Sequence, residues 1–257
     1  MNKASFTNLI LLLFLRIGRF LKNIFSPISF LAKVYIKQTG QLISGNKNTG
    51  ICLDVGAGIA PYEKNIKKHF GVSSYIPIDV APSNSTMVVT NACCLPFKNS
   101  TFNIIVSFDV IQHVQNPNLM VSELYRTLMN DGYILLTYPF LYPECDSKDF
   151  NRWTLDGMKN LLILEGFEIV INKRRGGVFF AYSCMLNWMV QHLIPGQRKT
   201  WRSQKNFAGC IIMALTFFLT IPTQILSWVA LFVDYLVKID SFYMGGVIVA
   251  KKKKHDS

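Results

Sequence analysis

The sequence has no Cys-x-x-Cys pair, and none of its four histidines stands at metal-ligand spacing. Structural zinc is therefore not expected, and no metal site can be assigned. Its six cysteines, at 52, 93, 94, 145, 184 and 210, form no spaced framework. A disulfide scaffold is thus excluded as an expectation, and a reducing cytosolic compartment fits them better. No acidic residue occurs in the first forty positions, which hold six basic ones. The apolar run near the start, residues 9–15, is seven residues long, where a bilayer span takes about twenty. Arginines follow that run directly and no small-x-small cleavage site appears, which sets a signal peptide aside.

What is present is apolar and basic. Half of the 257 residues are apolar and the net charge is +12. That length supports one large core, or a domain with an elaboration. Residues 41–170 hold nine basic and twelve acidic side chains, whereas residues 171–257 hold twelve and three. A mildly acidic globule therefore lies between basic, apolar flanks. Basic charge mixed with long apolar runs fits an anionic membrane surface better than nucleic acid. Over residues 8–37, Arg16, Arg19, Lys22, Ser26, Lys33 and Lys37 recur opposite Ile17, Leu21, Ile24, Ile28, Leu31 and Val34. That spacing predicts an amphipathic basic helix, with Pro27 as a breaking point, lying on a membrane or on the protein's own core. The polar residues 38–49 read as a linker.

Residues 51–62, ICLDVGAGIAPY, are the centre of the chain. An apolar run that reaches an acid and then two glycines reads as a buried parallel strand, a tight turn and a helix start. Glycine at 56 and 58 leaves no side chain between backbone and ligand. A dinucleotide loop would carry a further glycine where Pro61 stands, and proline removes a donor that a phosphate needs. No Tyr-x-x-x-Lys pair accompanies the turn, so a nicotinamide oxidoreductase is not expected.

The run resembles the first motif of class I S-adenosylmethionine (SAM)-dependent methyltransferases. Asp54, Gly56, Ala57 and Gly58 stand at its acidic and turn positions, and Ala60 replaces the third glycine. The resemblance covers residues 51–172 and the last strand, and the run Asp149-Phe150-x-Arg152-Trp153-Thr154 looks like one found in type 11-like methyltransferases encoded with polysaccharide-synthesis enzymes. It implies an α/β fold, a Rossmann-like seven-stranded mixed sheet with helices on both faces, and SAM as cofactor. Asp79, at the tip of the strand over 74–80, matches the acid that accepts ribose hydroxyls; a turn cap before Pro82 is the other reading. Asn91 replaces a common acid and, with Ala92, would meet the adenine, since an amide oxygen still accepts from its N–H. Ser107 and Phe108 close the strand 102–108 and would line the methionine end. His113 matches a histidine frequent in the fourth motif, and is either a base or a structural tie.

A helix over 119–129, an exit at Asp131–Gly132 and a strand over 133–138 follow. Tyr138, Asp149 and Arg152 are the candidate substrate contacts; Asp149 and Arg152 could equally pair with each other. Thr154 reads as an N-cap for a helix over 155–165, and 167–172 as a sixth strand. The closing antiparallel strand of such a sheet has its only good candidate at 243–251. Residues 178–242 are then an inserted hydrophobic segment, with apolar blocks at 178–194 and 207–237. A chain that returns to its sheet crosses a bilayer an even number of times or not at all. Two spans would carry Arg198, Lys199, Arg202 and Lys205 across, against the positive-inside tendency, and Pro222 is expected to kink or split the second block.

The expected organisation is a membrane-surface helix (1–40), a methyltransferase domain (41–177), a membrane-associated insertion (178–242), and a closing strand with a basic tail (243–257). The expected location is the cytoplasmic face of a membrane, monotopic or re-entrant, with a two-span hairpin as the alternative. The expected activity is methyl transfer to a lipid-linked sugar or surface-glycan precursor. A lipophilic quinone-like acceptor and an inactive membrane-bound scaffold are the alternatives, and the oligomeric state is open.

Overall fold

The computed structural model describes residues 26–43, 50–144, 148–192, 207–237, 239 and 241–253, with backbone alone for 191–192 and 207–220. The apolar run 9–15, the part of the expected basic helix before residue 26, and the basic connection 197–205 lie outside the described residues. The chain divides into two compact units, Met1–Leu31 with Gly176–Phe242, and Ala32–Arg175 with Tyr243–Ser257.

The second unit is a seven-stranded sheet. In chain order its strands are β1 (Ile51–Val55), β2 (Ser74–Asp79), β3 (Val88–Val89), β4 (Phe102–Phe108), β5 (Leu128–Pro139), β6 (Phe167–Arg175) and β7 (Gly245–Lys252). They lie in the order β3-β2-β1-β4-β5-β7-β6, and β7 runs antiparallel to both its neighbours. The last strand of the chain is thus the antiparallel one, as the sequence led one to expect, and the structure inserts it between β5 and β6. β1 is buried on both faces, and its alternation assigns each residue to one helical layer. Leu53 and Val55 pack with Met120 and Leu124 of α3 (Pro117–Thr127) and Met158 and Leu162 of α4 (Leu155–Leu164). Cys52 packs with Ile36 of α1 (Pro27–Ile43) and Ile66 and Phe70 of α2 (Glu63–Phe70). β1 is hydrogen-bonded to β2 and β4, so its carboxyl end, where the glycine turn begins, opens between these two strands.

Three local expectations are corrected. Residues 38–43 are helical rather than linker: Thr39 and Ile43 are buried, and a Cβ on Gly40 would stand 2.5 Å from the His69 carbonyl oxygen. Close approach to the end of α2 therefore holds α1 for another turn. The helix before β5 ends at Thr127, not 129, and the strand begins at once. Asp131, at φ 62°, does not end an element but lies in a bulge, where β4 advances from Phe102 to Ile104 while β5 advances from Leu128 to Tyr133. Pro27, where a break was expected, is the first residue of α1, with the Ser26 carbonyl accepting from Phe30 N at 3.0 Å.

The first unit contains α5 (Val178–His192) and α6 (Phe207–Leu236). Of the two expectations at Pro222, the split does not occur: the residue sits inside a continuous α6. Proline deletes one backbone bond, and here the next turn is held by other means: Thr223 Oγ1 donates to Asn187 Oδ1 at 3.1 Å and Ser227 Oγ to the Thr223 carbonyl at 2.8 Å. Asp234, from the last turn of α6, accepts from the amides of Gly177, Phe179 and Phe180 at 2.9, 3.0 and 2.9 Å. A carboxylate thereby caps the start of α5, where unsatisfied N–H groups and the helix dipole favour negative charge. Among the described residues no helix is long and apolar enough to cross a membrane.

Candidate active site

The turn after β1 is fastened from below by the end of β2. The amides of Gly56 and Ala57 donate to the Ile78 carbonyl at 2.9 and 3.0 Å, and that of Gly58 to Asp79 Oδ2 at 2.9 Å. From the β2–β3 loop, Ser83 Oγ donates to the Gly58 carbonyl at 2.6 Å and Ser85 Oγ to that of Ile59 at 3.1 Å. Gly56 and Gly58 take φ 72° and 56°, a region glycine enters without strain. Ala60 takes φ 51°, so the turn keeps a glycine-like conformation where the third glycine has been replaced. A Cβ on Gly58 would meet nothing within 4 Å, which marks open space above the turn.

Asp79 ends β2 with Oδ2 on Gly58 N and Oδ1 accepting from Ala81 N at 3.0 Å. Each carboxylate oxygen has a second lone pair, so both the turn-capping and the hydroxyl-accepting readings of this acid are sterically open to one side chain. Asp54 is 2% exposed and accepts from the Tyr75 hydroxyl. Burial pushes its carboxyl up to about 7; the Tyr75 bond lowers it and the Asp79 charge raises it. The unfolded chain releases this proton near the usual carboxylate value of about 4. The folded protein keeps it until about 7, so this group's contribution is best at low pH, is lost progressively between those values, and is level above. Asp54→Asn is expected to flatten that fall by roughly 2–4 kcal/mol. Urea unfolding at pH 5 and pH 8 measures it, and an unchanged difference between the two pH values would refute it.

At the expected adenine side, Asn91 Oδ1 accepts from Cys93 N at 2.9 Å and Ala92 is buried. At the methionine side, Ser107 is buried and donates to the Val55 carbonyl at 3.0 Å, tying the ends of β4 and β1. The Phe108 ring lies 4.8 Å from that of Tyr62. His113 donates from Nδ1 to the Lys148 carbonyl at 3.1 Å. In the neutral ring that bond assigns proton acceptance to Nε2. Asp149 and Arg152 form an ion pair with the carboxylate side chain fully covered, and Arg152 Nη2 lies 2.7 Å from Asp149 Oδ2. The same loop is strapped to the segment after β4 by Phe150 N on the Gln112 carbonyl at 2.8 Å and Asn151 Nδ2 on that of Val114 at 3.2 Å. Tyr138 is fully buried in the core layer of α3 and α4.

The structure brings the turn, Asp54, Asp79 and Ser107 together at the carboxyl ends of adjacent strands, with His113 and the Asp149–Arg152 loop beyond β4. It also adds residues the sequence did not suggest. Asp109, at φ 55°, holds Arg175 by a fork of 2.7 and 2.6 Å, and Arg175 is 3% exposed. Burial works against the guanidinium charge, yet the Asp109 carboxylate keeps its pKa above the ordinary value. Sixty-six residues separate the two, so no local spacing could announce the pair. Two glycines of β7 make room. A Cβ on Gly245 would lie 3.2 Å from Arg175 Nη2, and one on Gly246 would lie 2.2 Å from the Tyr138 ring. Gly246→Val is therefore expected to displace the Tyr138 ring and to destabilise by about 1–3 kcal/mol, read as a lowered urea midpoint. Val110 is the other addition: a Cβ on Gly56 would stand 2.3 Å from its Cγ2.

The profile of the methyltransferase domain family matches residues 28–167, more than half of the chain. A candidate sarcosine dimethylglycine methyltransferase of Galdieria sulphuraria has a similar structure, at TM-score 0.56 and 13% identity over 88% of this chain and 86% of that one. Phosphoethanolamine N-methyltransferase 2 of Haemonchus contortus, solved with phosphomonomethylethanolamine and S-adenosylhomocysteine, superposes at TM-score 0.54 and 16% identity, covering 91% of this chain and 57% of that one. An uncharacterized protein of Methanocaldococcus jannaschii is 29% identical over 99 residues, 37% of this chain; the match spans 39% of that curated relative's length. With its glycine turn, its strand-end acids and its strand order, the chain belongs to the methyltransferase domain family, a class I fold whose methyl donor is S-adenosylmethionine.

Proposed function

We propose that the protein transfers a methyl group from SAM at a membrane surface, to a lipid-linked sugar or surface-glycan precursor. The observation that carries the methyl-transfer reading is the open turn over Gly58, flanked by Asp54 and Asp79 at neighbouring strand ends. A purine nucleoside with a cationic sulfonium suits this cradle, since the Asp79 carboxylate stands at its edge, largely protonated Asp54 lies buried beneath, and the turn offers no side chain to obstruct it. Asp79 would hold the ribose hydroxyls, Asn91 and Ala92 the adenine edge, and Gly56, Ala57, Ser107 and Phe108 the methionine end. When bound, SAM supplies a methyl on a positively charged sulfur, a leaving group that needs no further activation.

The residues of the chain then have to align the acceptor and take its proton. His113 Nε2 would take the proton of the acceptor oxygen or nitrogen as that atom is methylated. Alignment dominates such a transfer; the Asp149–Arg152 loop, strapped to the His113 segment, supports that role. The aromatic pair Tyr62–Phe108 offers an apolar wall beside Asp109. The membrane part of the reading rests on the basic, apolar flanks and on the exposed apolar side chains of α5 and α6.

Incubation with labelled SAM and a membrane lipid extract is expected to place label in the lipid fraction. Label confined to soluble small molecules would sink the lipid-linked acceptor, and a labelled quinone-like product would favour the second acceptor class. Calorimetry with SAM and S-adenosylhomocysteine separates an enzyme, which binds both, from a scaffold, which binds neither. Ala60 at φ 51° favours the enzyme, because the turn geometry survives the substitution.

A further inference from the structure

The two helices of the first unit expose one continuous kind of side chain. On α5, Phe179, Tyr182, Leu186 and Met189 are 41–64% exposed and spaced by three, four and three residues, a single stripe. On α6, Leu226, Val229, Phe232 and Leu236 are 44–62% exposed at spacings of three, three and four. Between the stripes lies a groove of about 260 Å³, walled by Phe179, Tyr182 and Leu186 on one side and Leu226, Val229 and Val233 on the other. Contiguous apolar surface of this kind is uncommon on a monomer in water and marks an interaction site.

The net charge of the unit's sequence names the occupant. The sequence of this unit holds nine basic and two acidic residues. One of the two acids, Asp234, is engaged in capping α5. The connection between the helices carries Arg198, Lys199, Arg202 and Lys205 and no acid. A second copy of the chain would carry the same net positive charge and be repelled, whereas an anionic bilayer offers hydrocarbon to the stripes and attracts a unit of basic sequence. Tyr182 and Tyr235, exposed at the surface of the two helices, have the apolar body and polar tip that suit a water–lipid boundary. We propose that the α5–α6 face docks in the plane of an anionic phospholipid bilayer, with one hydrocarbon chain in the groove. This deepens the membrane-surface reading above and rests on it.

The full chain is mixed with vesicles of phosphatidylglycerol and phosphatidylcholine, or of phosphatidylcholine alone, and sedimented. Binding to the anionic vesicles is expected, weakened about tenfold or more by removing the anionic lipid or by high salt. Leu226→Glu/Val229→Glu, on exposed positions of the first unit, is expected to weaken it about tenfold or more, since a charge replaces apolar area that the bilayer would cover. SAM binding by calorimetry should be the same in the variant and shows that it is folded. Equal sedimentation of both proteins, or none by the wild type, overturns the docking face. A wild-type dimer that the variant dissolves also overturns it, and makes the face an interface between copies. Loss of vesicle binding with SAM binding intact counts against this surface alone; absence of SAM binding in the wild type counts against the methyltransferase reading alone.

Discussion

Arg175→Ala is expected to destabilise the protein by about 3 kcal/mol, the lower end of what breaking a buried pair costs. At roughly 2–4 °C per kcal/mol for a chain of this size, the melting temperature should fall by about 10 °C. The argument is one of burial. Arg175 is 3% exposed and its guanidinium is forked to Asp109 at 2.7 and 2.6 Å, so truncation leaves a carboxylate without its partner at the end of β4. Asp109 keeps a third of its side chain in water, which is why the lower figure is chosen. Replacing both partners, as Arg175→Met with Asp109→Leu, should recover most of the loss, because the expense lies in the stranded charge rather than in the missing attraction. The exposed pair Glu63–Lys67 is the contrast, with both side chains two-fifths or more in solvent; Glu63→Ala should change stability by no more than about 0.5 kcal/mol. Equal effects at the two sites would show that burial is not what makes the Asp109–Arg175 contact matter.

The second large effect separates two glycines that look alike in the sequence. Gly58→Ala puts a methyl group into space where it meets no protein atom within 4 Å. Its folding penalty is the left-handed backbone alone, about 1–2 kcal/mol. SAM binding should suffer far more, by about 100-fold or beyond, if the nucleoside lies against the turn, since a methyl at van der Waals distance must displace it. Gly56→Ala drives its methyl to 2.3 Å from Val110 Cγ2. The corner after β4 must shift, so this variant should lose stability and SAM affinity together. Calorimetry and thermal unfolding on both proteins decide the matter. A Gly58→Ala protein that binds SAM like the wild type would remove the turn from the cofactor site.

Asp79 and the glycine turn were legible because both stand at the ends of apolar runs, where a parallel strand must release its chain. The closing strand was legible for a related reason. A sheet of this family closes with an antiparallel strand, and the run at 243–251 was the one good candidate for it. Boundaries were less legible. Residues 38–43 are polar enough to read as a linker, and their helical form goes with tertiary packing, with Thr39 and Ile43 buried and Gly40 close against the end of α2. Pro222 reads as a helix breaker, but Thr223 and Ser227 hold the turn after it by bonds that reach α5 and the preceding turn.

The sequence by itself determined the order of elements and the place of the cradle, because periodicity and turn chemistry are local properties of the chain. Tertiary structure alone decided how the cradle is held. Tyr75 meets Asp54 across neighbouring strands, Ser83 and Ser85 hold the turn from the next loop, and Arg175 reaches Asp109 over Gly245. Each of these partners is set by strand order and register, quantities that depend on which surfaces bury one another and not on spacing along the chain.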